Sequence, residues 1–251
     1  MIRVSASAFD ILWHDLGLGA VPEPLDVHSV GYTGDERADI RREVYGNLAE
    51  RGLYDGRDPD PEVVERLAAL AGATASVECE ALVDVDDEVP FRAVAAGDGR
   101  RATLAVQPSR TIGLSAIRPT ELATAIMEVL PWFEPGPGLG VSLPASALEG
   151  RVADPVFAGG GGGRSDARDR QLSEVLAIQA RPVLGAGQFS VRVRTGRGAS
   201  RRVGGVSWFV TDVGAYLGSL EERRGGQAWV SVIPADAARV AGKIADLLDE
   251  A

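Results

Sequence analysis

Few side chains in this sequence carry intrinsic reactivity, and their settings argue against a reaction centre. The one cysteine, Cys79, stands between Glu78 and Glu80. A nucleophilic thiolate needs a base or positive charge nearby, so Cys79 reads as a buried strand residue. His14 and His28 are the only histidines, and neither has a ligand-type residue four positions on. Helical geometry points His14 and its neighbour Asp15 apart, so structural roles lead for both histidines. Ser115, Ser207 and Ser231 lie in strand-like runs without the Gly-x-Ser-x-Gly elbow of a serine nucleophile. A triad assembled from distant residues stays open in principle, but nothing points to one.

Two loops invite a ligand reading and fail it. Asp84, Asp86, Asp87 and Glu88 make an acidic turn, yet they lack the loop spacing and glycine that calcium coordination requires. Ala158 to Arg164 contains five consecutive glycines, which suggests a phosphate cradle. That motif needs a lysine and a hydroxyl directly after the glycines. The sequence continues Arg164-Ser165-Asp166 instead, so a flexible linker is the better reading. The expectation is no catalytic residue, no cofactor and no metal.

What survives is a surface argument. Arg192, Arg194, Arg197, Arg201 and Arg202 cluster on one hairpin of a chain whose net charge is −10. Trp208, Phe209, Tyr216 and Trp229 concentrate the aromatics of the second half on its strands. Buried, these aromatics mean that the halves pack differently; exposed, they make a patch for a protein partner, because aromatics and arginine dominate interface energetics. The sequence leaves that choice open.

These residues need a scaffold, and 251 residues with 45% hydrophobic content can build one. The chain fits one large domain or two halves sharing a sheet. The acidic balance and the lack of a basic stripe exclude a duplex-binding surface. No apolar run approaches the roughly 20 residues that span a bilayer, and no secretory signal is visible. With a single cysteine, a reducing, cytoplasmic setting is expected.

Along the chain, Phe9, Leu12, Trp13 and Leu16 fall at helical spacing. Val21-Pro-Glu-Pro-Leu is an extended connector. Thr33 and Glu36 form a capping box before a helix carrying Ile40, Val44, Tyr45 and Leu48. Asp60 caps a third helix at Pro61. From Ala75 the period changes to two, with Val77, Cys79, Ala81 and Val83 inward.

Phe91 to Leu130 then runs hairpin, strand, proline, helix, and Phe189 to the C-terminal helix repeats that order. The stretch from Asp212 to Gly225 interrupts the second copy and reads as either a strand extension or a short helix. An internal repeat constrains the fold. The expected class is α/β, with a mainly antiparallel central sheet, helices packed around it and two similar halves. A first half of about residues 1–138 and a second of about 165–251, joined by a Gly/Pro-rich linker, make a single domain.

Residues 9 to 25, Phe-Asp-Ile-Leu-Trp-His-Asp-Leu-Gly-Leu-Gly-Ala-Val-Pro-Glu-Pro-Leu, resemble the start of the EspG family of ESX (type VII) secretion-associated proteins. So does Leu48-Ala-Glu-Arg-Gly-Leu53 before an acidic, proline-containing helix start. The connector Leu130-Pro-Trp-Phe-Glu-Pro-Gly-Pro-Gly138 and the Trp-strand-Pro-helix ending are similar as well. The resemblance spans nearly the full chain and lies in the order of these features.

It implies a cytosolic actinobacterial chaperone that needs no cofactor. Such a chaperone binds the tip of a PPE protein within a PE–PPE heterodimer, keeps it soluble and directs it to export. It also implies a central, mainly antiparallel sheet with two helical bundles and a pseudo-two-fold relation between the halves. A client surface is then expected around Arg192, Arg194, Arg201, Trp208 and Trp229. The rival readings are an enzyme or small-molecule binder using a cleft between the halves, and a structural dimer subunit; monomer and homodimer both remain open.

Overall fold

Strands arise where apolar residues alternate and turns interrupt them. In chain order they are β1 (Ile2–Ser5), β2 (Ala75–Leu82), β3 (Phe91–Gly97), β4 (Ala102–Gln107), β5 (Thr111–Ile117), β6 (Val141–Pro144), β7 (Val183–Val193), β8 (Arg201–Thr211), β9 (Gly214–Arg223) and β10 (Gln227–Pro234). The computed structural model describes residues 1–146, 165–196, 198–223 and 226–250. All ten strands join one sheet in the order β1-β5-β4-β3-β2-β7-β8-β9-β10-β6, and its strand pairs are antiparallel. The sheet is thus two four-stranded meanders, β2 to β5 and β7 to β10, meeting at β2–β7. The strand that precedes each meander closes its outer edge.

The described helices are α1 (Ala6–Asp15), α2 (Gly34–Glu50), α3 (Pro61–Ala71), α4 (Leu122–Met127), α5 (Ser165–Gln179) and α6 (Ala237–Asp249). Side chains fix several starts by satisfying orphan amides. Ser5 accepts from the Ala8 amide, Asp60 from Glu62 and Asp236 from Arg239. Thr33 and Glu36 form the expected reciprocal box.

Helices α1 to α3 bury Phe9, Leu12, Trp13, Leu48 and Leu67 against Val94, Ala105, Ile112 and Leu114 on one face of the first half. Helices α4 and α6 lie together on the opposite face and cover residues of both halves, among them Cys79, Ala95, Phe189, Val206 and Leu217. At the far edge, Val175 of α5 packs on Val141 and Leu143 of β6.

Several features resolve or add to the sequence reading. The undecided stretch after Thr211 is a full strand, β9, paired to β8 and β10. With β9 in place, β2 and β7 are the neighbours at the seam, while the Phe91 strand, β3, lies one strand further out. Edge strands β1 and β6 are only four residues each, too short for alternation to register. The turn-rich connector is also ordered: Gly136 donates to the Ala215 carbonyl at 2.9 Å. A Cβ on Gly136 would lie 2.3 Å from the Tyr216 ring, so only glycine passes beneath it. The five-glycine stretch lies outside the described residues, as does the side chain of Leu172.

Candidate partner-binding surface

The strand period sorts β7 into two sets. Phe189 and Val191 point into the core shared with α4 and α6, while Gln188, Ser190 and Arg192 point to the opposite face. On that face α1 to α3 cover the first half, and Arg192 emerges beside their edge. Its Nε donates to Glu78 Oε2 at 3.0 Å, and its Nη2 donates to Glu23 Oε2 at 3.1 Å. The Glu78 side chain is only 12% exposed. Burial pushes its carboxyl above the usual range, and the Arg192 hydrogen bond offsets only part of that.

Arg194 is half-buried and donates to the Ala71 carbonyl at 3.2 Å; among the described residues it forms no ion pair. Arg202 stands directly opposite Arg192 in the β7–β8 register, and Arg201 opposite Val193. Arg201 and Arg202 are exposed. Arg197 lies outside the described residues.

Two concavities flank this row of arginines. One is a cavity of ≈ 230 Å³ at the seam between the meanders, bounded by Val21, Glu23, Leu70, Ala71, Glu78, Arg192 and Arg194. The other is an open groove of ≈ 700 Å³ lined by Gln188, Arg202, Ser207, Gly218, Leu220 and Val230. Gln188, Ser207 and Gly218 sit side by side across three strands, and Leu220 pairs with Val230. Among the described residues, no helix packs over this strip: α3 stops before β7, and α5 sits out on β6. Leu220 is consequently 67% exposed.

The two expected tryptophans differ in exposure. Trp208 is 2% exposed and stacks on Phe133 with ring centroids 5.5 Å apart. It shares strand parity with Val206, and both face the core. A Cβ on Gly187 would approach Trp208 Nε1 to 2.7 Å, so a glycine on β7 makes room for the indole. Trp208 therefore supports the sheet from beneath and cannot touch a partner. Trp229 is half-buried in β10, between Glu221 and Pro144 of its neighbouring strands. Phe209 stacks on Tyr216, whose hydroxyl donates to the Pro137 carbonyl. Among the apolar residues that do reach solvent, Leu220 and Trp132 (78% exposed) are not singled out as surface residues by the sequence. Leu220 fell in the undecided stretch; reading that stretch as a strand places it on the face opposite Leu217.

The sequence profile of the EspG family matches residues 5–246. The chain belongs to the EspG family. Its fold is similar to that of a Mycobacterium tuberculosis protein, the type VII secretion system chaperone EspG5, in a structure of its complex with the PE25-PPE41 dimer. That likeness has a TM-score of 0.72 at 16% identity and covers 99% of this chain and 95% of the other. No curated protein sequence matches this EspG-family chain.

Cys79 and the two histidines of this EspG protein line neither concavity, whereas Ser207 lies in the groove. Cys79 is buried, and burial raises its thiol to about 12. His14 departs from the expected geometry: its Nδ1 lies 3.6 Å from Asp15 Oδ1, because the adjacent side chains fold together at the helix end. In the acidic turn, Asp84 and Asp87 accept from backbone amides. Among the described residues no metal-ligand cluster forms, and no helix is long and apolar enough to cross a membrane.

Proposed function

We propose that this EspG-family chain is a cytoplasmic, non-enzymatic chaperone of a type VII secretion system. It holds a PPE-type client within a PE–PPE heterodimer, keeps it soluble and presents it for export. The observation that carries this reading is the fold shared along 99% of the chain with EspG5, a chaperone seen with a PE–PPE dimer. The uncovered strip on β7 to β10 adds to it. A client's apolar tip needs an apolar, partly flat acceptor, and Leu220 and Val230 beside Gly218 supply one.

Arg192, Arg194 and Arg201 border that strip, Trp229 lies on the outer strand pair, and Trp208 holds the sheet's shape from the core. The two halves derive from one repeated unit, a reading supported by the strand order: each meander starts at the seam and has its preceding strand on its outer edge.

Co-expression with PE–PPE heterodimers from the same genome tests the proposal. A stable ternary complex is expected on size exclusion. Leu220→Glu places a charge on the exposed strip and should weaken capture by about tenfold or more, as for a central interface residue, with unchanged thermal stability. Capture unaffected by Leu220→Glu would remove the strip from the interface. Absence of any complex would remove the client class.

A further inference from the structure

The seam cavity holds four charged groups, and one of them is loosely placed. Glu78 is strand-held and nearly buried, Arg192 bridges it, and Arg194 is tied to the end of α3 through Ala71. Glu23 differs. It sits on the connector before α2, its side chain is 75% exposed, and among the described residues its carboxylate meets only Arg192 Nη2.

We infer that Glu23 is an internal placeholder, and that an acidic side chain of the client displaces it to pair with Arg192 and Arg194 in the seam cavity. The inference rests on the client reading above and names the chemistry that part of the site selects.

Charge balance supports the exchange. With Glu23 in place, two guanidinium groups face two carboxylates. If Glu23 swings into solvent, one positive charge is left uncompensated beside a low-dielectric wall of Leu70, Ala71 and Val94. An incoming carboxylate restores the balance while Arg192 Nε stays on Glu78. The cavity, at ≈ 230 Å³, suits one side chain and not a folded segment.

The neighbourhood favours an acid over a base. Arg202 faces Arg192 across the strands, and like charges directly opposite one another repel. Arg201 and Arg202 form no ion pair among the described residues. On a chain of net charge −10, an acidic client is repelled over most of the surface and attracted at this corner. That fixes docking orientation more than it adds affinity.

The test is calorimetric titration of a captured PE–PPE heterodimer into wild-type and Glu23→Gln protein. Glu23 is exposed, so the variant keeps its fold, which an unchanged melting temperature verifies. At low salt Glu23→Gln should bind about two- to fivefold tighter, the range set by an exposed ion pair. The gain should vanish near about 0.5 M salt. Adding Arg194→Gln to Glu23→Gln should also abolish the gain. Equal or weaker binding by Glu23→Gln overturns the placeholder and leaves the client reading intact. Failure of the wild-type chain to bind any PE–PPE heterodimer overturns both.

Discussion

Glu78 and Arg192 are joined side chain to side chain, at 3.0 Å, across the strand pair that connects the two meanders. Since β2–β7 is where the meanders meet in the sheet, this ion pair sits at their seam, with its carboxylate nearly out of water. Arg192→Ala would leave that carboxylate buried and unpaired, at a cost of about 1–3 kcal/mol at pH 7. The sign with pH follows from burial, which already holds Glu78 above its ordinary 4.5. Without Arg192 its carboxyl rises further, and protonation then relieves the penalty. The deficit relative to wild type should therefore be largest near neutrality and shrink as pH falls toward 4.5. Thermal unfolding of both proteins across that window measures it; a deficit that grows on acidification would contradict the account.

Asp15 behaves in the opposite sense. Burial pushes its carboxyl up, but hydrogen bonds from Arg41 and Tyr45, with the Arg41 charge, outweigh that and hold it below 3.8. A depressed carboxylate contributes stability above its unfolded value and loses it as pH falls through the folded one. Asp15→Asn should cost about 1 kcal/mol at pH 7, and the gap should close below pH 3.8. The same contact, after burial, pushes Tyr45 up to about 12, and burial also raises Tyr216, so alkaline absorbance titration should show these two tyrosines ionising late. In Asp15→Asn the Tyr45 step should move down while that of Tyr216 stays.

Gly187 and Trp208 test the core beneath the strip. A Cβ at position 187 would lie 2.7 Å from both the indole Nε1 and Ala81 Cβ. Gly187→Ala should therefore destabilise by about 1–3 kcal/mol through overpacking. Trp208→Ala should cost more, about 3–5 kcal/mol. Trp208→Phe should be milder than Trp208→Ala, because among the described residues the indole N–H has no partner to lose. Urea unfolding ranks the three; a Trp208→Phe loss equal to that of Trp208→Ala would contradict the ranking.

Cys79 should be inert in the folded protein. Its thiol is buried and raised to about 12, so very little thiolate exists at pH 8 and the reagent has no access. Iodoacetamide should label it only after urea is added. Rapid labelling of native protein would show that β2 opens.

Much of the scaffold was legible because local chemistry decides it. The Thr33–Glu36 box, the Asp60-Pro61 start and the alternation through Val77, Cys79 and Ala81 each act within a few residues, and the structure keeps all of them. The four-residue edge strands were not legible, because they are held by register with distant strands: Ile2 with Leu114, and Val141 with Val232. Strand β9 was obscured by Gly214, Gly218 and the charges after Leu220, which dilute its alternation.

The candidate surface divides the same way. Local reading of the residues shows that arginines crowd one hairpin, that no motif marks a reactive centre, and that the order of elements resembles the EspG family. Only the tertiary structure decided that Trp208 turns inward, that Glu78 and Glu23 meet Arg192, and that Leu220 is left bare. Strand parity says which residues share a face, but which face a helix covers depends on where the chain returns, and that is set by packing across the whole sheet.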